Sequence, residues 1–123
     1  MEFKISKSIE DYQNSIEFMN SYVMKIIKND YSDLIWLLEY PDIYTYGPLS
    51  KKSDLLQSNK FPVISSNRGG QYTYHGPGQR VVYLMINFKN KSRDVREFIF
   101  QIEDLIIKSL GRINLKAEKN SKN

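Results

Sequence analysis

Apolar residues recur every three or four positions in the first 30 residues, a pattern that predicts an amphipathic helix. The predicted buried positions are Ile9, Tyr12, Ile16, Met19, Tyr22 or Val23, and Ile26. Ser8 is the predicted N-cap. Glu10 and Asp11 follow in the first turn, where the helix dipole favours negative charge.

A second helix is predicted from about Arg93 to Leu110, again from one apolar face. That face is formed by Val95, Phe98, Ile99, Ile102, Leu105 and Ile106. Ser92 is predicted to cap its start and Gly111 its end.

Short apolar or alternating runs between the helices predict strands. Residues 34–38 form a continuous apolar run, which is typical of a strand covered on both faces. Further strands are predicted at residues 3–5, 43–46, 61–64, 71–74, 81–88 and 113–117, with one helical turn at 54–56. This order predicts an α/β or α+β domain with a mixed sheet covered by helices on one face. The domain is predicted over residues 1–117, followed by a polar tail at 118–123.

The amino-acid composition excludes several kinds of functional site. The chain has no cysteine, which excludes disulfides, thiolate metal sites and cysteine nucleophiles within these residues. It has neither a run of about 20 apolar residues nor an N-terminal segment of signal-peptide type, so a cytoplasmic location without membrane contact is predicted. The net charge of +4 permits an acidic partner. Ordinary surface charge explains it equally, because Lys116, Lys119 and Lys122 crowd the tail.

Four of the six glycines fall within residues 68–78, beside the only histidine, His75. Glycine lets a ligand approach the backbone closely, so a pocket wall is one interpretation. Turns around a hairpin are the other. The spacing fits neither a Walker loop nor the Gly-x-Gly-x-x-Gly dinucleotide motif, and a single histidine without cysteine gives little support for a metal site.

Residues 68–79 read Arg68-Gly69-Gly70-Gln71-Tyr72-Thr73-Tyr74-His75-Gly76-Pro77-Gly78-Gln79. This run resembles, nearly residue for residue, the Arg-Gly-Gly-x-x-Thr-Tyr-His-Gly-Pro-Gly-Gln signature of the octanoyltransferases, also called lipoate-protein ligase B. Residues 38–47 resemble the Glu-His-Pro-x-x-Tyr-Thr-x-Gly stretch of the same family, and residues 82–84, Asn87 and residues 95–96 are also similar to it. Tyr40 stands where the family commonly has histidine, at what is expected to be the pocket edge.

The resemblance runs along essentially the whole chain but covers little more than half of a typical member. It implies the fold of the biotin and lipoate protein ligase catalytic domains, incomplete at the C-terminus. It also implies transfer of octanoyl from acyl carrier protein to a lysine of lipoyl domains. Those domains belong to 2-oxoacid dehydrogenases and to the glycine cleavage H protein. No cofactor and no nucleic acid are implied.

In that family a cysteine carries the acyl group as a thioester and a lysine activates it, which suits thiolate chemistry. Both are expected beyond residue 123, so no catalytic residue is assigned in this chain, and inactivity alone is expected. By resemblance the acyl-binding wall comprises Arg68, Gly69, Gly70, Gln71, Tyr72, Thr73, Tyr74 and His75.

Two other function classes stay open at this point. An adenylating lipoate or biotin ligase would share the fold but needs a nucleotide-binding sequence. A small RNA-binding module would use the positive charge and the nine tyrosines. However, lysines and aromatics do not interleave along any one predicted strand.

Overall fold

The computed structural model describes residues 1–57, 60–88 and 94–120. The chain divides into two compact units, Met1–Ile86 and Asn87–Asn123. The prediction of one domain over residues 1–117 is not tested by this division and stays a prediction. No helix among the described residues is long and apolar enough to cross a membrane.

The described residues of the first unit, 1–57 and 60–86, form one α-helix and six strands. The helix α1 spans Tyr12–Ile27, and a single 3-10 turn spans Lys52–Asp54. The strands are β1 (Glu2–Ile5), β2 (Leu34–Leu38), β3 (Ile43–Tyr46), β4 (Val63–Ser65), β5 (Thr73–His75) and β6 (Val81–Met85). The predicted helical turn at 54–56 was therefore placed two residues too late, and the strand predicted at 61–64 is shifted to Val63–Ser65.

Two mixed sheets replace the single mixed sheet of the prediction. In the first, β2 pairs with β1 in parallel and with β6 antiparallel. In the second, β3 pairs with β4 in parallel and with β5 antiparallel. Because β5 and β6 lie in different sheets, the hairpin interpretation of the glycine-rich segment is wrong. The α+β class with mixed strand directions is confirmed.

Helix α1 begins later than the sequence pattern predicts. Asp11 is the N-cap, and its side chain accepts a hydrogen bond from the Asn14 backbone N–H. Ser8 is not the cap, because the chain before Asp11 is still held along β2: the Ser6 N–H donates to the Leu37 carbonyl and the Glu10 N–H to the Glu39 carbonyl. Ile9 consequently lies outside the helix and is exposed.

The buried face of α1 packs on one face of the β1–β2–β6 sheet. Tyr22 rather than Val23 occupies the ambiguous helix position, since Tyr22 is buried and Val23 is exposed. The core cluster consists of Tyr12, Tyr22, Ile26, Leu34, Trp36, Leu38, Tyr40, Ile43 and Met85. Burying side chains of this size supplies most of the stabilisation of a small domain.

The opposite face of that sheet is only partly covered. Ile35 and Leu37 are half-buried, so the prediction of a β2 strand covered on both faces is wrong for its second face. Register places Phe3 and Leu84 beside Ile35, and Ile5 and Val82 beside Leu37. These four neighbours are all exposed, Phe3 to 69%.

The second unit contains helix α2, Val95–Gly111. Asp94 is its N-cap and accepts hydrogen bonds from the backbone N–H groups of Arg96 and Glu97; the predicted cap, Ser92, lies outside the described residues. Gly111 is the last helical residue rather than the cap. The chain turns at Asn114, whose φ of 60° is a conformation that asparagine tolerates.

The strand predicted at residues 113–117 is wrong. The N–H groups of Ile113 and Leu115 both donate to the Leu110 carbonyl, so this segment completes the helix terminus instead of extending. In the tail, the Lys119 ammonium lies 2.8 Å from an Asp104 carboxylate oxygen. It also lies over the Phe100 ring, so the tail folds back along α2 at this point.

Candidate functional site

Thr45, in the middle of β3, is completely buried and lies at the centre of a polar cluster. Its side chain shares a face of the second sheet with Ile43 and His75, because Ile43 pairs with His75 and Thr45 with Thr73 across β3 and β5. Arg68 reaches into this cluster from the loop after β4. A polar side chain placed on the inward face between apolar neighbours needs partners, and Arg68 and His75 supply them.

The Arg68 guanidinium is held by five hydrogen bonds. Its Nε and Nη2 donate to the Thr45 hydroxyl oxygen at 3.2 and 2.9 Å, and Nη2 also donates to the Thr45 carbonyl at 2.8 Å. The remaining bonds run to the carbonyls of Gly69 and Gln71. Arg68 therefore ties its own glycine-rich loop to β3, a structural use of the rigid guanidinium fork.

The His75 ring is fixed on several sides. Its Nε2 lies 3.1 Å from the Thr45 hydroxyl oxygen. Tyr12 stacks on the ring at 6.4 Å between centroids, and Tyr40 meets it edge-on at 5.7 Å. Partial burial lowers the pKa of His75 below its usual value, and the Arg68 charge lowers it further. The imidazole is therefore neutral at neutral pH.

Tyr40 lies under the site rather than at a pocket edge. It is fully buried, and its hydroxyl oxygen lies 3.0 Å from that of Tyr83 on β6. Burial raises the pKa of both phenols, so both remain uncharged. Tyr40 thus forms an uncharged floor against which His75 packs.

Gly47 is where two backbone segments of this site lie closest together: the end of β3 and the loop that carries Arg68. A Cβ on Gly47 would lie 2.8 Å from the Gly70 carbonyl oxygen and closer still to that of Arg68. Gly70 has a φ of 95°, which side chains other than glycine rarely adopt. These two glycines let the loop carrying Arg68 lie directly on the end of β3.

Glu39 holds the second glycine-containing loop. One of its carboxylate oxygens accepts a hydrogen bond from the Gly78 N–H at 2.9 Å, and the other lies 3.2 Å from an Arg80 guanidinium nitrogen. Gly78 also has positive φ, 86°, within the turn closed by the Gln79 N–H and the Gly76 carbonyl. This loop connects the two sheets.

Tyr72 and Tyr74 do not share a face with His75. Tyr74 pairs with Tyr44 across the strands, on the opposite face of β5, and its hydroxyl donates to Asp42 at 2.5 Å. That hydrogen bond raises the pKa of Tyr74. Both tyrosines line a cleft of about 390 Å³ with Tyr44, Asp54, Leu55, Leu56 and Gln57.

The eight predicted wall residues therefore occupy two places. Arg68 and His75 meet at Thr45, and the backbone of Gly69 and Gly70 lies beside them. Tyr72 and Tyr74 face the outer cleft, while Gln71 and Thr73 are exposed. Their role as an acyl-binding wall stays a prediction.

Three residues of the cluster were not predicted as site residues: Tyr12, Thr45 and Tyr83. Thr45 lay within the stretch that resembles the family, and its alternation with Ile43 marks it as inward-facing. No local pattern links Tyr12 or Tyr83 to His75. Among the residues that the structure describes, no group of three or more His, Cys, Asp or Glu could hold a metal ion.

We expect the stability of the chain to fall below about pH 6.5, the ordinary histidine value. Unfolding exposes His75 and restores its pKa, so the unfolded state binds the proton more tightly than the folded state does. The contribution of His75 to the free energy of unfolding should be constant above this pH. It should decrease as the pH falls, until the pH passes below the lowered folded-state value.

Urea unfolding at several pH values, compared between the parent chain and His75→Gln, measures this effect. Glutamine retains an acceptor for the Thr45 hydroxyl, so the variant keeps this contact while removing the titratable ring. The difference between the two profiles isolates the single histidine. Parallel profiles between pH 7 and pH 5 would contradict the burial of the ring.

Comparison with known proteins gives consistent matches along the chain. The family described as the lipoyl protein ligase A/B catalytic domain matches residues 11–123. An octanoyltransferase of Bartonella quintana is 41% identical over 119 residues, which is 97% of this chain and 49% of that protein. An octanoyltransferase of Brucella melitensis is 42% identical, over 97% of this chain and 45% of its own length. One of Agrobacterium fabrum is 41% identical, over 95% and 44%.

Proposed function

Since the chain belongs to the lipoyl protein ligase A/B catalytic-domain family, we propose that it provides the acyl-binding part of an octanoyltransferase of lipoate biosynthesis. The observation that carries this proposal is the 41% identity to a protein named octanoyltransferase over 97% of the chain. The chain spans about half the length of the curated relatives that it matches. The complete reaction is therefore proposed only for a chain of the relatives' full length.

The proposed reaction moves octanoyl from acyl carrier protein to a lysine of a lipoyl domain, including those of 2-oxoacid dehydrogenases and the glycine cleavage H protein. The proposed acyl-enzyme route uses a thiolate nucleophile, because a thiolate exchanges readily with a thioester. These 123 residues contain no cysteine. The task left to them is to bind the octanoyl thioester and to orient it.

The cluster around Thr45 suits that task. The buried phenols of Tyr40 and Tyr83 and the lowered pKa of His75 keep the floor uncharged, as an apolar acyl chain requires. The Arg68 guanidinium donates its hydrogen bonds to Thr45 and to loop carbonyls. Its role is therefore to hold the site in shape rather than to bind a carboxylate. The backbone at Gly69 is open to close approach, because no heavy atom lies within 4 Å of a Cβ placed there.

The relatives named octanoyltransferase favour this function over an adenylating ligase or an RNA-binding module. We propose a cytoplasmic location, in keeping with the similarity to proteins named octanoyltransferase.

Replacement of Gly70 by valine should weaken binding of octanoyl-acyl carrier protein by tenfold or more. The φ of 95° at Gly70 strains any branched side chain, and its Cβ would meet Arg68 Nη1 at 3.4 Å, so the loop must shift. Fluorescence anisotropy with labelled octanoyl-acyl carrier protein measures the dissociation constant.

Gln13→Ala is the control, because Gln13 is an exposed position of α1 outside the glycine-rich loop. It should bind within about threefold of the parent. Equal affinity of Gly70→Val and the parent chain would count against the assignment of this loop to the acyl site.

A further inference from the structure

We propose that Thr45 is a positioning residue that holds His75 in its neutral Nδ1–H tautomer, leaving Nδ1–H as an uncharged donor for a ligand carbonyl oxygen. The ligand half of this statement rests on the proposed function, because the carbonyl concerned would be that of the octanoyl thioester. The tautomer half rests on hydrogen-bond counting alone.

The count begins at the Thr45 hydroxyl oxygen, which has two lone pairs and one hydrogen. Arg68 donates to this oxygen twice, from Nε at 3.2 Å and from Nη2 at 2.9 Å. A guanidinium has no acceptor, so both contacts are donated to Thr45. Nη2 has two hydrogens for three oxygens: we assign the one on the same edge as Nε–H to the hydroxyl oxygen, and the other is shared by the carbonyls of Thr45 and Gln71. With this assignment, Nε–H and the first Nη2 hydrogen occupy both lone pairs of the hydroxyl. The hydroxyl can therefore take part in further bonding only as a donor.

The third partner of that oxygen is His75 Nε2, at 3.1 Å. Since Thr45 must donate in this contact, Nε2 must accept and cannot carry a hydrogen. A neutral imidazole with a bare Nε2 carries its hydrogen on Nδ1. An imidazolium is disfavoured at the same place, because three hydrogens would then converge on one oxygen.

The His75 imidazole cannot easily rotate out of this arrangement. Thr45 is fully buried, and the rings of Tyr12 and Tyr40 pack against the imidazole at 6.4 and 5.7 Å. A flipped ring would place carbon against the Thr45 hydroxyl and leave its hydrogen without an acceptor, at a cost typical of a buried unsatisfied group.

The consequence is an uncharged N–H beside the open glycine loop. Within the described part of the chain, His75 Nδ1 makes no hydrogen bond, and no buried side-chain nitrogen or oxygen lacks a partner, so Nδ1 is accessible from outside. A neutral donor suits the oxygen of a thioester. An imidazolium would instead attract a free carboxylate such as octanoate.

Ring-labelled ¹⁵N-histidine gives a direct test, because His75 is the only histidine in the chain. Long-range ¹H–¹⁵N correlation at about pH 7.5, where the ring is neutral, distinguishes the two tautomers. The parent chain and Thr45→Ser, which keeps the hydroxyl, should both show protonated Nδ1. Thr45→Val should lose this preference, because Nε2 no longer has a donor.

Arg68→Gln provides a second, independent variant. It frees lone pairs on the Thr45 hydroxyl, which can then accept from Nε2–H, so the share of the Nε2–H tautomer should rise. A protonated Nε2 in the parent chain would overturn the proposal even if both variants fail to fold. So would an unchanged tautomer in a folded Thr45→Val.

The ligand half is tested by adding S-octanoyl-pantetheine to the same labelled sample. The Nδ1–H signal should shift in the parent and in Thr45→Ser, and Thr45→Val should bind about tenfold more weakly, as the loss of one hydrogen bond implies. An Nδ1–H tautomer without any response to the probe would overturn acyl binding and the ligand half alone. An Nε2–H tautomer with a clear response would leave the proposed function standing and overturn the role of Thr45.

Discussion

Incubated with octanoyl-acyl carrier protein and a lipoyl domain, the 123-residue chain should leave the lipoyl domain unmodified. Transfer through the proposed cysteine thioester needs a thiol, and the sequence contains none. Thr45 cannot substitute, because Arg68 occupies both lone pairs of its buried hydroxyl. Loss of a covalent nucleophile usually lowers the rate by several orders of magnitude.

Mass spectrometry of the lipoyl domain is the measurement, with a reaction lacking the chain as the blank. A mass gain of one octanoyl group above that blank would falsify the prediction. Addition of a separate polypeptide carrying the family's lysine and cysteine should restore transfer if the two parts can assemble. In that mixture Gly70→Val should reduce the rate, whereas Gln13→Ala, at an exposed position of α1, should not.

Gly47→Ala should destabilise the first unit by about 2 kcal/mol or more, among the largest effects of any single methyl addition to this chain. The added Cβ would overlap the carbonyl oxygens of Arg68 and Gly70, which are backbone atoms and cannot rotate away. The loop would have to lift from β3, and the bonds from Arg68 to Thr45 would be lost with it. Urea unfolding followed by Trp36 fluorescence measures the change.

Gly69→Ala is the control in the same loop. Its Cβ meets no atom within 4 Å, so the free energy of unfolding should change by less than about 0.5 kcal/mol. Similar unfolding midpoints for the two alanine variants would show that the loop does not rest on Gly47.

Local sequence patterns predicted the elements better than their connections. The period of α1 was readable because Tyr12, Tyr22 and Ile26 alternate with polar residues, and each of the three is buried. The start of that helix was missed because Ser8 is a good cap by type, whereas backbone bonds of Ser6 and Glu10 to β2 hold the chain extended. Such long-range backbone hydrogen bonds cannot be predicted from the residue types at positions 6–11.

The candidate site shows the same limit. The resemblance of residues 68–79 to a family signature placed Arg68 and His75 together. Because side chains alternate along β5, Tyr74 lies on the face opposite to His75, and Tyr72 lines the same outer cleft as Tyr74. Thr45 joins these residues only through the pairing of β3 with β5, which follows from neither segment alone. The division into two sheets could not be predicted from the sequence either, because β5 and β6 are neighbours in sequence but belong to different sheets.

The pairing scheme of β2 has a consequence for how the chain is made. Leu34 pairs with Met85 and with Glu2, so the central strand receives its antiparallel partner only from a segment synthesised much later. Pairings of this range carry a large loop-closure cost and slow the search for the native state. During translation, at roughly 5–20 residues per second, β2 would emerge several seconds before β6 can join it. Trp36 and Leu38 would remain without their β6 partners for that interval, so the nascent chain should be a substrate for chaperones that recognise exposed apolar strands.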